Sequence, residues 1–149
     1  MMLMKRTLIV LFALFSLSAI ADELTLADQK VTMADMRALA SSIEAMATDT
    51  NAYPDVSFDE LEKLLSPTYI KTVPRVDAWG TPFAYVANGS RYRFVSAGAD
   101  RKFEESSQRL GPQRVEGVAQ EDPNADIIFE DGSFIQYPAA LAPKPRRVE

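Results

Sequence analysis

Residues 75–100 read RVDAWGTPFAYVANGSRYRFVSAGAD. The stretch carries the only tryptophan, Trp79, and three of the chain's six glycines. Asp77-Ala78-Trp79-Gly80 has turn chemistry, and Pro82 suits the first residue of a strand. Phe83–Ala87 and Arg91–Ser96 then read as two strands, with Tyr92, Phe94 and Ser96 alternating against Arg91, Arg93 and Val95. Asn88-Gly89 lies between them, a pair that favours the positive φ angles of a tight hairpin turn. The stretch therefore reads first as the framework of a small sheet. Trp79 is expected to plug an edge of that framework, because an isolated tryptophan packs more often than it presents a ligand platform.

A second hairpin is expected further on. Ile127–Phe129 and Phe134–Tyr137 flank Asp131-Gly132, another turn pair of the same type. Residues 101–121 are polar and lack periodicity, so they read as a long loop, functional or disordered. On the N-terminal side, Met33, Met36, Ala40, Ile43 and Ala47 recur at spacings of three and four, and Leu39 and Met46 widen the stripe. Asp35, Arg37, Ser41, Ser42 and Glu44 fall largely on the opposite side. This predicts a helix from about Leu24 to Thr50, stopped by Asn51-Ala52-Tyr53-Pro54. A shorter helix is expected after the capping-box sequence Ser57-Phe58-Asp59-Glu60, with Leu61, Leu64 and Leu65 as its apolar face. The expected fold class is α+β: a long N-terminal helix packed on a small, four-stranded antiparallel sheet.

Composition excludes several chemistries. With no cysteine there is neither a disulfide nor a thiolate, and with no histidine the commonest general base is missing. Serine–histidine and cysteine–histidine hydrolysis are therefore excluded. The first 21 residues have the form of an export signal: Lys5 and Arg6, an apolar run from Thr7 to Ile20, and small residues at Ala19 and Ala21. The expected division is a signal peptide at 1–21, a domain at 22–138 and a proline-rich flexible tail at 139–149. Cleavage would remove two basic residues and no acid, leaving 14 basic and 21 acidic residues and a net charge of −7. Such a surface repels nucleic acid. Lys144, Arg146 and Arg147 belong to the solvated tail rather than to a binding patch.

The order of these features resembles the type II secretion pseudopilins, the major pseudopilin in particular. MADMRALASSIEAMATDTNAYP at 33–54 is similar to the family's helix end. LEKLLSPTYIKTVPRVDAWGTPFAYV at 61–86 is similar to its link into the sheet, with Asp-x-Trp-Gly-x-Pro as the most specific part. YRFVSAGAD at 92–100 and NADIIFEDGSF at 124–134 resemble the borders of its calcium loop and its last strands. The resemblance spans roughly residues 30–138. It implies a non-enzymatic structural protein with other pseudopilins or secretion components as protein partners; after cleavage of the export signal, such a head is expected to be periplasmic or secreted. The N-terminus departs from the family pattern. No glycine precedes Gly80, so a prepilin processing site is missing, and the expectation is a soluble head behind an ordinary signal. The alternative is a membrane-tethered minor subunit anchored by residues 7–21.

The resemblance also implies calcium. Asp100 matches the first acidic ligand and Asp126 the far border, with Asp122 and Asn124 as nearby oxygen donors and carbonyls near Ser96 and Ala97 adding to them. On the residues alone, Asp122-Pro123-Asn124 reads equally as a turn, and Asp100 as a strand-end cap. A third reading, less favoured, makes Asp100 and Asp126 a carboxylate pair of a hydrolase.

Overall fold

The computed structural model describes the backbone of residues 2–112 and 116–142, and side chains from Ile20 onward. The element order is α1 (Met2–Thr50), α2 (Phe58–Leu65), β1 (Ala84–Ala87), β2 (Tyr92–Ser96), β3 (Val118–Gln120), β4 (Ile127–Glu130), β5 (Ser133–Pro138) and η1 (Ala139–Leu141).

Helix α1 begins well before Leu24, running without a break through the apolar segment. No proline or glycine interrupts it, so nothing in the backbone chemistry stops the ladder earlier. It ends at Asn51, whose φ of 60° gives a left-handed cap and whose amide donates to the Ala47 carbonyl at 2.7 Å. Met33, Met36, Leu39, Ala40, Ile43 and Met46 are buried, as their spacing predicts. Ser42 is buried too, contrary to expectation, and its hydroxyl satisfies itself on the Ala38 carbonyl at 2.7 Å. The capping box of α2 forms as expected, with Ser57 and Glu60 bonding reciprocally. Leu61 and Leu65 are buried, while Leu64 faces solvent instead of joining the apolar face.

The sheet has five strands, not four, in the order β1-β2-β4-β5-β3. Four are antiparallel neighbours; β3, inside the segment expected to be all loop, pairs parallel with β5. Gly117 permits this approach: a Cβ there would meet Tyr137 Cε1 at 2.5 Å. Asp131-Gly132 forms the expected tight turn, with φ of 47° and 89°. Asn88-Gly89 does not. Asn88 keeps negative φ, its amide donates to the Arg91 carbonyl at 3.1 Å and its side chain accepts from the amides of Ser90 and Arg91, so the tip shifts by one residue to Gly89-Ser90. The Gly89 carbonyl accepts from the Tyr53 amide at 2.9 Å, tying the end of α1 to the sheet.

The two sheet faces are covered differently. Tyr92, Phe94, Ile127, Phe129 and Phe134 pack against the methionine stripe of α1 in the main core. Val95, Ile128 and Ile135 form a smaller cluster on the outer face, covered by Phe103. Half-buried Leu141 of η1 packs on the main core. The rest of the expected tail, from 143, lies outside the described residues, as do the side chains of most of the expected signal.

Candidate functional site

Three features could carry function: the Asp77 turn, the acidic border, and the free face of α1. The Asp-x-Trp-Gly-x-Pro sequence is organised by Asp77, a carboxylate only 3% exposed. Its Oδ1 accepts from the amides of Trp79 and Thr81 at 3.1 and 2.9 Å, and its Oδ2 accepts from Ser96 Oγ at 2.7 Å. The Ala78 amide donates to Thr32 Oγ1 at 3.1 Å. One turn therefore joins α1, the start of the sheet and the end of β2, and Trp79 packs half-buried on the core as expected. The sequence marks this turn but not its hub, because the Ser96 partner lies 19 residues away.

At the acidic border the chain folds back on itself. The Ala99 amide donates to the Pro123 carbonyl at 3.0 Å. Gly98, at φ 69°, lies so close that a Cβ would stand 2.7 Å from the Ala125 carbonyl oxygen. Asp100 is exposed, and its Oδ1 accepts from the Lys102 amide at 2.9 Å. Asp122 Oδ1 accepts from the Asn124 amide at 2.9 Å, so these two expected ligands make a turn of their own. Asp126 is 1% exposed; its Oδ2 accepts from the Glu104 amide at 2.9 Å, and its Oδ1 is buried without a donor.

Burial pushes the Asp126 carboxyl above the ordinary aspartate value, and the charges of Glu104 and Asp100 add to the rise. The Ser107 hydroxyl and the Glu104 amide oppose it. Ser107 Oγ and Asp126 Oδ1 are both buried, and neither completes a hydrogen bond of standard geometry. The fold thus brings Asp100 into electrostatic reach of Asp126. Among the described residues, no group of three or more acidic side chains converges as a metal cage would. The residues that could hold an oxygen-preferring cation here are the Asp126 and Asp100 carboxylates.

The free face of α1 was not singled out by the sequence reading, although its signal is present. Ile20, Leu24 and Val31 are each more than half exposed. At 3.6 residues per turn they lie within an arc of roughly 40°. Exposed Ala27 and Ala34 fall on the same side. The buried stripe of Gln29, Met33 and Met36 lies opposite. One face of this helix is covered by its own sheet, and the other presents large aliphatic side chains to solvent. Among the described residues, no helix is long and apolar enough to cross a membrane.

A long helix laid across a small, mostly antiparallel sheet, bordered by an acidic loop, defines a pseudopilin-type head. A family model described as "Type II secretion system (T2SS), protein G" matches residues 19–110, more than half of the chain, and the chain belongs to that family. The match includes the exposed stripe of α1, the Asp77 turn, Asp100 and the loop as far as Leu110. No curated protein and no solved structure gives a significant match. The family is a structural one, not an enzymatic one, and its members act with other pseudopilins and secretion components.

Proposed function

We propose that the protein is an exported, non-enzymatic subunit of a type II secretion machine that docks through the free face of α1 onto another pseudopilin. The observation that carries this is the aliphatic stripe of Leu24, Ala27, Val31 and Ala34, opposite the face already buried by the sheet. All four residues remain if residues 1–21 are removed. A helix apolar on two opposite sides in an acidic domain serves a second helix better than it serves water. Since the chain has no native cysteine, a single one is a clean reporter. Val31→Cys is expected to cross-link to a secretion pseudopilin in the native cell, whereas Arg109→Cys on the exposed loop is expected not to. The N-terminus of the exported protein separates this reading from the tethered one: a start at Asp22 belongs to export, and retention of residues 7–21 to an anchor.

We further propose that the acidic border takes a calcium ion. Asp126 and Asp100 would supply the carboxylates, with neighbouring carbonyls, water, and the Asp122–Asn124 turn completing the six to eight oxygens that calcium takes. What supports this is the unpartnered Asp126 Oδ1, together with the mutual repulsion of the two carboxylates, which a divalent cation would relieve. Calcium at 100 times its Kd is expected to raise stability by about 2.7 kcal/mol by mass action. Thermal unfolding with calcium and with chelator reads this, and Asp126→Asn should abolish the difference. Identical melting of the unmodified protein in both conditions would remove calcium from the account.

A further inference from the structure

The outer face of the sheet holds a buried charge cluster that neither the helix contact nor the ion site uses directly. Glu130, at the end of β4, is 3% exposed. Its Oε2 accepts from Arg93 Nε at 2.5 Å, and its Oε1 pairs with Arg91. Neutralised by Glu130, on which its Nε and Nη2 both bear, Arg93 can be buried, and its Nη1 is left to bond elsewhere. Arg93 Nη1 donates to the Ser107 carbonyl at 3.0 Å and to the Ser106 carbonyl at 3.4 Å. Arg91 Nη1 donates to the Gly111 carbonyl at 2.8 Å.

These bonds hold the segment 102–112, which crosses the outer face without regular secondary structure. Of this strap, only Phe103 packs on the apolar cluster of Val95, Ile128 and Ile135. A cavity of about 180 Å³ remains beneath it, lined by Arg93, Ser107, Ile128, Ile135 and Gln136 among others. The strap is therefore attached by charge-assisted bonds to its carbonyls rather than by buried area. The same strap delivers the Glu104 amide and the Ser107 hydroxyl to Asp126.

We propose that Arg93, oriented by Glu130, is the positioning residue that seats the strap on the sheet and thereby presets the acidic border around Asp126. The guanidinium fork is essential, because it spans a carboxylate on one side and two carbonyls on the other. A lysine at the same position can meet Glu130 or the carbonyls, but not both in this geometry. The consequence for ion binding rests on the calcium reading above; the seating of the strap does not.

The test uses the full chain and amide hydrogen exchange in chelator. Arg93→Met alone strands a buried carboxylate and risks unfolding, so it is paired with Arg93→Met/Glu130→Leu, in which the buried charges go together. In the double variant, the Glu104 and Ser107 amides are expected to exchange at least about tenfold faster, while those of Leu39 and Ile43 in α1 stay as slow as before. Arg93→Lys should free the same two amides. Unchanged strap protection in either variant overturns the proposal. In a second arm, the double variant is expected to bind calcium about tenfold more weakly, the lower range for loss of an outer-shell support. Failure of the unmodified protein to bind calcium counts against the ion reading alone, since the exchange arm contains no calcium.

Discussion

Asp77→Ala is expected to cost about 3–5 kcal/mol, because it leaves two backbone amides and one hydroxyl in a buried turn without their acceptor. For a domain of this size, that is a fall in melting temperature on the order of 10–15 °C. The effect is large because the three donors come from two separate parts of the chain. Trp79 and Thr81 belong to the turn itself, whereas Ser96 ends β2. Losing the carboxylate loosens the entry to the sheet and the contact of Ala78 with Thr32 on α1 at once. Asp77→Asn keeps an oxygen for the two amides and turns an amide nitrogen toward Ser96, whose hydroxyl can accept in place of donating. It is expected to cost only about 1–2 kcal/mol. Thermal or denaturant unfolding of the two variants measures the difference. Equal losses would show that the turn is held by something other than its acceptor geometry.

Gly98→Ala should produce the second large effect, about 2–4 kcal/mol, confined to the acidic border. Two costs combine. Gly98 has φ of 69°, where an L side chain is strained. Its Cβ would also stand 2.7 Å from the Ala125 carbonyl oxygen and 2.9 Å from that of Asn124. Those are backbone atoms of the opposing border and cannot rotate aside, so the two borders must part. Gly80 and Gly89 provide the control. Their φ values of 85° and 87° carry the same backbone strain, yet nothing lies within 4 Å of their Cβ positions. Alanine at either is expected to cost about 1–2 kcal/mol. If calcium occupies the border, Gly98→Ala also removes its stabilisation while Gly80→Ala keeps it. Melting curves with calcium and chelator read both effects. A Gly98 variant no worse than the Gly80 variant would contradict the close approach of the borders.

What the sequence revealed follows a physical line. The methionine stripe of α1 was legible because burial on a helix repeats along a single short stretch, and Met33, Met36 and Ile43 declare it locally. Asp131-Gly132 was legible because its φ values are a property of that pair. Asn88-Gly89 misled because the tip moves by one residue, to Gly89-Ser90, with Asn88 paired to Arg91 and a distant partner, Tyr53, bonded to the glycine carbonyl. Strand β3 was hidden for another reason: Val118-Ala119-Gln120 is short and mostly exposed, with no alternation to detect, and only Gly117 hints at a close backbone approach. At the candidate site, the meeting of the two borders could be anticipated from a family resemblance. The burial of Asp126, Arg93 and Glu130 could not. Charged residues alternating along a strand read as a solvated face, and what buries them is an irregular strap whose path no periodicity records.

The central claim is that α1 uses one face to build its own head and the opposite face to meet another subunit. Leu24→Glu/Val31→Glu tests it most directly, because both side chains are exposed and neither belongs to the core. In the native cell, with the single-cysteine reporter placed at exposed Ala34, the account predicts loss of the cross-link to the partner pseudopilin. The melting temperature should hold, since exposed substitutions of this kind change stability by only about 0.5 kcal/mol. A double variant that cross-links as well as the parent would contradict the account; so would one that unfolds, because the stripe would then be part of the head and not a surface offered to a neighbour.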